Sequence, residues 1–384
     1  MRLLLWICGG WLLTGLWSCG QPSAATEDKG GERIPVEYAR GLRLESLENY
    51  THVIVRHPQD TDQVLAEYYL YRTDSVPVSI QNKQGLIHVP VQKIVCLSTT
   101  QVGMLEVLDA TDRIIGISGT QWVYNEQVST LIEQGQIREI GQESGLNKEL
   151  LIQMQPDVIL GYASGIAGYD EVDGLSQLGL PVVLIQEFTE LHPLGMAEWV
   201  KLVALLLDEP AAGDAYFQQV ANRYISLTVK AGMLSSLPTV FTGLPYRGEW
   251  TVSGGRSFAA QYIHDAGGRY LWEDNEQTGN FPVSLEEVLL KAEKADVWLN
   301  PGGALSMQDI IDIDPRLENI PAFKHNEVFS NQNRLNAAGG NDYWESAVVH
   351  PDEILDDLIR ILCPQEAPES VIDDTPLKYY KWLH

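Results

Sequence analysis

The sequence is poor in basic residues and in cysteine. Its 384 residues include 26 Lys and Arg against 52 Asp and Glu, which gives a formal net charge of −26 at pH 7. This charge repels nucleic-acid phosphates and anionic lipid headgroups, so we expect no nucleic-acid partner and no membrane-surface binding. Four cysteines, two of them within the first 19 residues, are too few for a disulfide scaffold.

Motifs that mark common enzyme and metal sites are also missing. No HExxH, CxxC, P-loop or nucleophile-elbow pattern occurs, and no two of the eight histidines stand four residues apart. The glycine pairs lack the GxGxxG spacing of a dinucleotide site. We therefore predict a protein that is not an enzyme and has no resident cofactor and no metal site. A hydrolase of surface glycans stays open as an alternative, because its carboxylate pair is assembled by the fold and not by spacing.

No apolar run is long enough for a transmembrane helix. The run from Leu3 to Trp17 falls short of the ~20 residues that span a bilayer. It ends in Leu16-Trp17-Ser18-Cys19, which resembles the lipobox of bacterial lipoproteins. The resemblance implies a signal peptide at 1–18, a diacylglycerol anchor on Cys19 and a location in the periplasm or cell envelope. A plain secretory signal is the alternative.

The rest of the chain divides by its hydrophobic pattern. The small polar residues of 19–33 predict a flexible tether, and the strand-like stretches of 34–91 predict a small β-rich appendage. After Lys93, short Val- and Ile-rich strands alternate with helices, which indicates parallel sheets covered on both faces. The predicted parts are an N-terminal α/β lobe at 92–190, a helical segment at 191–232, a C-terminal α/β lobe at 233–363 and a tail at 364–384.

The helical segment is predicted to bridge two similar lobes. One helix should begin at Pro210 and end near Ala231, a length of about 33 Å. Around it the sequence repeats a pattern: a helix that begins near Glu149 precedes the strand DVIL, and a helix that begins near Glu286 precedes DVWL. The fold class is therefore α/β, with two Rossmann-like lobes, parallel sheets and one long bridging helix.

Aromatic residues gather in the loops that follow predicted strands, where open α/β sheets bind ligands. In order along the chain, the predicted ligand-binding residues are Trp122, Tyr124, Tyr162, Tyr246, Arg247, Trp250, Phe281, Tyr343 and Trp344. Together they suit a cleft for a large, flat or amphipathic solute. Arg247, Arg256 and Arg334 could add positive charge for an anionic chelate.

Three stretches of this sequence resemble the periplasmic substrate-binding proteins of ABC importers for iron complexes and cobalamin. They are KIVCLSTTQVGMLEVLDATDRIIGIS, IGQESGLNKELLIQMQPDVILG and SLEEVLLKAEKADVWL, and the likeness extends over roughly 92–362. The resemblance implies a ligand held between two lobes with little hinge motion. It also implies docking on an ABC permease through one carboxylate per lobe: Glu286 in the second lobe, and Asp170 or Glu171 in the first.

We therefore expect a monomeric solute-binding lipoprotein that delivers an iron complex, either a ferric siderophore or a haem-like chelate. A cobalamin or corrinoid ligand is the alternative within the family. Arginines facing the cleft would favour an anionic ferric chelate, and a dry aromatic cradle would favour a corrinoid. A lipoprotein without a small ligand would have its cleft filled by side chains.

Overall fold

An N-terminal β-sheet is followed by two α/β lobes in a computed structural model of the chain. It describes residues 31–142, 145–163, 172–234, 237–364 and 376–384. The predicted signal peptide, Cys19 and most of the tether lie outside these residues, as do Asp170 and Glu171. Within the described ranges, no helix combines the length and apolar character that a membrane crossing needs.

The β-rich appendage is confirmed as a five-stranded sheet. Its strands are β1 (Glu32–Ile34), β2 (Leu42–Ser46), β3 (Tyr50–His57), β4 (Asp60–Tyr71) and β5 (Leu86–His88). They are arranged in the order β1-β2-β3-β4-β5, with antiparallel pairs except for the parallel pair β4–β5. Val53 and Val55 of β3 are fully buried, so one face of the sheet joins the main hydrophobic core.

The first lobe is a five-stranded parallel sheet with helices between its strands. Its elements are β6 (Ile94–Cys96), α1 (Thr99–Glu106), β7 (Ile114–Ile117), α2 (Glu126–Glu133), β8 (Arg138–Glu139), α3 (Lys148–Met154), β9 (Val158–Gly161), α4 (Val172–Gln177) and β10 (Val182–Leu184). The order β10-β9-β6-β7-β8 places the Val- and Ile-rich strands β9, β6 and β7 in the centre, where both faces are covered. Cys96 is fully buried in β6 and acts as a small core residue.

Three helices connect the lobes: α5 (Pro193–Glu198), α6 (Val200–Leu206) and α7 (Pro210–Ala231). The stretch before Pro210 forms two helices, because at Trp199 the backbone bonds shorten to a three-residue spacing: the N–H of Trp199 donates to the Met196 carbonyl, and the N–H of Leu202 donates to the Trp199 carbonyl. Helix α7 has the predicted bounds and packs against α6 on one side. It also packs against the last helix of the second lobe, so α7 bridges the two lobes.

The second lobe repeats the parallel α/β arrangement. Its elements are β11 (Thr239–Thr242), β12 (Trp250–Ser253), α8 (Phe258–Asp265), β13 (Arg269–Tyr270), β14 (Asn280–Val283), α9 (Leu285–Ala292), β15 (Val297–Leu299), α10 (Met307–Ile313), α11 (Pro321–Lys324), β16 (Val328–Ser330), α12 (Pro351–Leu362) and β17 (Lys381–Trp382). The sheet order is β13-β11-β15-β16-β17, and β12 and β14 form a separate antiparallel ribbon. Strand β17 lies in the segment assigned to a tail. It pairs antiparallel with β16, and Trp382 stacks on Phe329.

The repeated sequence pattern has the same structural use in both lobes. Asp157 precedes β9, and its carboxylate accepts the backbone N–H groups of Gln92 and Lys93 just before β6. Asp296 precedes β15, and its carboxylate accepts the N–H of Thr239 at the start of β11. In each lobe the aspartate therefore satisfies the first donors of the adjacent parallel strand.

Candidate functional site

A cavity of about 470 Å³ lies between the two lobes and the tip of the appendage. The first lobe contributes Phe188, Thr189 and Glu190, which follow β10, and the appendage contributes His57 and Gln59. The remaining lining comes from the second lobe. The volume is in the usual range for small-molecule sites, and the cavity is not filled by side chains.

The floor of the cavity on the second lobe is formed by the ends of parallel strands. Thr242 ends β11, Asn300 follows β15 and Asn331 follows β16, and all three line the cavity. Because these strands are neighbours and parallel, their carboxyl ends meet at one edge of the sheet. This edge is where open α/β sheets bind ligands.

The ribbon of β12 and β14 forms a further wall. Thr251 and Ser253 of β12 and Asn280 of β14 line the cavity. Successive residues of a strand point to opposite faces, so Trp250 and Phe281 point away from it. Trp250 is 1% exposed, stacks on Trp298 with ring centroids 6.0 Å apart, and donates from Nε1 to the Thr242 carbonyl. Phe281 packs against the core. Both predicted ligand residues therefore serve the core.

Aromatic rings from both lobes line the cavity. Tyr343 and Trp344 are in contact edge to face, with ring centroids 4.9 Å apart, and Trp344 remains 57% exposed. From the first lobe, Phe188 lines the cavity and is itself contacted by Tyr162 at 6.0 Å. Of the predicted aromatic residues, Tyr343 and Trp344 lie in the lining and Tyr162 lies one contact behind it.

The polar part of the described lining is almost entirely uncharged. It consists mainly of Ser, Thr, Asn and Gln side chains, with Glu190 as the one acidic member among the described residues. Both carboxylate oxygens of Glu190 accept hydrogen bonds, from Arg40 N–H, Gly41 N–H and Trp199 Nε1–H. Burial raises the pKa of Glu190 above its ordinary value, although these hydrogen bonds oppose the rise.

Asn300 has an unused acceptor next to the cavity. Its Oδ1 atom is buried and accepts no hydrogen bond from the described residues, and its backbone adopts φ +53°. A buried acceptor without a donor costs free energy unless a ligand or water supplies one. The Oδ1 atom is itself enclosed, and the Asn300 side chain also hydrogen-bonds to Tyr380, so it is the position of Asn300 in the cavity lining that makes it a candidate ligand contact.

The three arginines considered for an anionic chelate lie outside the cavity lining. Arg256 pairs with the exposed Glu276. Arg334 donates from Nε to Asp342 at 2.6 Å, and its guanidinium lies 4.9 Å from the ring centre of Tyr124. Arg247, at φ +52°, lies over the ring of Tyr246, which is 70% exposed. The structure thus brings together no arginine cluster in the described lining.

Trp122 and Tyr124 lie where the two lobes meet. The backbone N–H groups of Tyr124 and Asn125 donate to Glu345 of the second lobe, each at 2.7 Å. Asn336 donates from Nδ2 to the carbonyl groups of Gln121 and Val123 on either side of Trp122. These two residues therefore belong to the interlobe contact and not to the cavity lining.

Several lining residues are not identified by the sequence analysis. Asn300 and Asn331 stand directly after predicted strands, so their position was a usable signal. Phe188 follows β10 in the same way. His57 and Gln59 had no such signal, because the sequence does not show where the tip of the β3–β4 hairpin points.

The described part of the cavity lining contains neither a carboxylate pair nor a cluster of metal-binding side chains. Among the described residues the lining has a single carboxylate, whereas a glycosidase needs two. No group of three or more His, Cys, Asp or Glu side chains that could hold a metal ion occurs in the part of the chain that the structure describes.

The residue that the resemblance implies for docking in the second lobe, Glu286, is well exposed. Glu286 lies in the first turn of α9, its side chain is 76% exposed, and its nearest cation is Arg316 at 3.5 Å. A charge-assisted contact with a partner arginine is therefore sterically open at this position.

Residues 94–335 match the sequence model of the protein family described as periplasmic binding protein. This chain belongs to that family. One relative of this chain is the uncharacterized lipoprotein MJ0878 of Methanocaldococcus jannaschii. The two sequences are 26% identical over 307 residues, which cover 77% of this chain and 71% of the relative.

Solved structures of periplasmic binding proteins share the fold. A possible iron-binding (periplasmic solute-binding) protein from Staphylococcus epidermidis has a TM-score of 0.56 at 18% identity, covering 71% of this chain and 99% of that chain. A periplasmic heme binding protein from Pseudomonas aeruginosa has a TM-score of 0.55 at 17% identity, covering 75% of this chain and 96% of that chain. The periplasmic vitamin B12 binding protein BtuF of Vibrio cholerae has a TM-score of 0.53 at 16% identity, covering 73% of this chain and 99% of that chain. At these identities the likeness establishes the two-lobed fold and leaves the ligand open.

Proposed function

We propose that this periplasmic binding protein captures a metal chelate in the interlobe cavity and delivers it to an ABC permease. The observation that carries the proposal is an open cavity at the carboxyl ends of parallel strands, lined by aromatic rings and neutral polar side chains. The similar structures include proteins described as binding iron, heme and vitamin B12, which supports a chelate as ligand.

The charge of the cavity favours an uncharged iron complex. The described lining contains no Lys or Arg, and the whole chain carries a net charge of −26. An anionic chelate such as haem, with its carboxylates, would meet repulsion without a compensating cation. A ferric trihydroxamate siderophore, in which ligand charges cancel the metal charge, can instead hydrogen-bond to the Asn, Ser and Thr side chains. A corrinoid, whose periphery carries amides, is the second candidate for the same reason.

A fluorescence titration tests both the function and the ligand class. The purified protein is titrated with a neutral ferric trihydroxamate, an anionic ferric tricatecholate, haemin and cyanocobalamin. Because Trp344 lines the cavity, we expect the trihydroxamate to quench tryptophan emission at micromolar concentration or below. Trp344→Phe should remove much of this signal, whereas Trp382→Phe, a comparably exposed (53%) tryptophan outside the lining, should not. Absence of quenching by every chelate would refute the proposal.

Docking on the permease is proposed to use Glu286. Glu286→Ala should lower chelate uptake by cells that carry the cognate permease while leaving chelate affinity unchanged. Glu293→Ala, an exposed glutamate at the other end of α9, is the matched control. Loss of chelate affinity in Glu286→Ala, or full uptake, would contradict the assignment. The first-lobe candidates Asp170 and Glu171 can be tested in the same way.

The lipid anchor is proposed on Cys19. The relative from Methanocaldococcus jannaschii is described as a lipoprotein, which supports this localisation. Cys19→Ser should move the protein from the membrane fraction to the soluble envelope fraction, measured by detergent partitioning. Retention of the variant in the membrane fraction would argue for another mode of attachment.

A further inference from the structure

The tip of the β3–β4 hairpin reaches the interlobe cavity. His57 ends β3, Asp60 begins β4 and the two residues are paired, so Pro58 and Gln59 form a two-residue turn. His57 and Gln59 lie in the same lining as Trp344 of the second lobe. The appendage therefore adds a wall to a cavity that two lobes alone would leave open on this side.

The tip is braced within the appendage and is linked to the first lobe through Gly41. The N–H of Arg56 donates to the Gly41 carbonyl at 2.7 Å, and its guanidinium donates to the Thr61 carbonyl at 2.5 Å across the hairpin. Pro58 is buried against Gly41, where an added Cβ would lie only 3.0 Å from the proline Cγ. The N–H of Gly41 in turn donates to Glu190, a cavity-lining residue, at 2.8 Å.

The two tip side chains present neutral hydrogen-bonding groups. The Nδ1 atom of His57 accepts the N–H of Gln59 at 3.3 Å, an arrangement that places the proton of a neutral ring on Nε2 and makes that atom a donor. Gln59 is exposed and carries both a donor and an acceptor on its amide. These groups match the Asn, Ser and Thr character of the opposite wall.

We propose that His57 and Gln59 contact the bound chelate and that the appendage is a specificity element of the ligand site. This inference rests on the proposed chelate-binding function. It assigns a role to residues 34–91, which lie outside the matched family region 94–335. A chelate with hydrogen-bonding groups on its periphery would be recognised on three sides, by the two lobes and by the hairpin tip.

The experiment measures chelate affinity for His57→Ala, Gln59→Ala and the double variant, using whichever chelate of the titration panel the wild-type protein binds. Loss of two ligand hydrogen bonds should weaken binding about tenfold or more in the double variant. The matched controls are His88→Ala on β5 and Gln63→Ala on β4, which are exposed on the same appendage but lie outside the lining. Thermal unfolding checks that every variant is folded.

The outcomes separate the two proposals. A selective loss of affinity in the tip variants supports the assignment of the appendage. If the double variant binds as tightly as wild type while Trp344→Ala has lost binding, the tip does not contact the ligand and the assignment is overturned. If wild type binds no chelate of the panel, the proposed function itself is overturned, and the role of the tip with it.

Discussion

The pH dependence of stability should report the glutamate that joins the two lobes. Glu345 is 1% exposed and accepts the N–H groups of Tyr124 and Asn125. Burial raises its pKa from the ordinary 4.5 to about 7; the two hydrogen bonds oppose this rise, and the charges of Asp342 and Glu106 add to it. The perturbation that isolates this group is Glu345→Gln, whose amide does not titrate.

The magnitude follows from the linkage between protonation and folding. The unfolded chain releases this proton near pH 4.5, whereas the folded protein holds it to about pH 7. The contribution of Glu345 to the free energy of unfolding is therefore fully present below pH 4.5 and is lost as the pH rises through 7. A tenfold change in proton affinity is worth ~1.4 kcal/mol, so the loss amounts to about 3 kcal/mol.

The assay is urea unfolding of wild type and Glu345→Gln at about pH 5 and about pH 8, a range that captures about 2.5 kcal/mol of this loss. Glu187 and Asp357, whose buried carboxyl groups have their pKa raised to about 7 and about 6, titrate in the same range in both proteins. The difference between the two pH slopes therefore isolates Glu345. Equal slopes for wild type and variant would refute the reasoning.

Three further predictions each concern one side chain. Glu198→Ala removes the acceptor for the backbone N–H groups of residues 37–39. The free energy of unfolding measured in urea should fall by about 3 kcal/mol, and hydrogen exchange at these amides should become faster. Unchanged exchange would contradict this prediction. Trp250→Phe should lower the free energy of unfolding by about 1–2 kcal/mol and leave chelate affinity unchanged, because this side chain lies in the core. A loss of affinity would indicate that Trp250 contacts the ligand after all. Asn300→Ala should weaken chelate binding about fivefold in the titration, together with some loss of stability, because alanine is strained at φ +53° and the hydrogen bond to Tyr380 is lost. Unaltered affinity would show that Asn300 does not contact the ligand.

The architecture was predictable because hydrophobic periodicity is a local signal. Helix α7 begins at Pro210 and ends at Ala231, as its apolar stripe and the following Gly232 indicate. The alternation of apolar strands and helices after Lys93 was enough for two parallel α/β lobes. Strand β17 was missed because its pairing with β16 depends on a chain segment more than 50 residues away in sequence.

The candidate site was only partly predictable, because a loop position does not fix the direction of a side chain. Thr251 and Trp250 are neighbours in sequence, yet one lines the cavity and the other is buried, since consecutive residues of β12 point to opposite faces and the sequence does not show which face meets the cavity. Trp122, like Trp344, is an aromatic residue in a loop that follows a predicted strand. Its loop is instead held by the second lobe through Asn336, a contact between residues more than 200 positions apart.

One kind of contact joins the three parts that surround the cavity. Glu345 links the second lobe to a loop of the first, while Glu190 of the first lobe and Glu198 of the connecting helix α5 link to residues 37–41 of the appendage. In each case a buried carboxylate accepts backbone N–H groups that belong to no strand or helix, which satisfies several donors at once. Part of the acidic composition therefore has a structural use inside the fold, besides its effect on solubility. Because each of these buried carboxylates binds two or more backbone N–H groups, the three walls are tied to one another, and we expect the proposed ligand to be selected by a preformed shape more than by closure of the lobes.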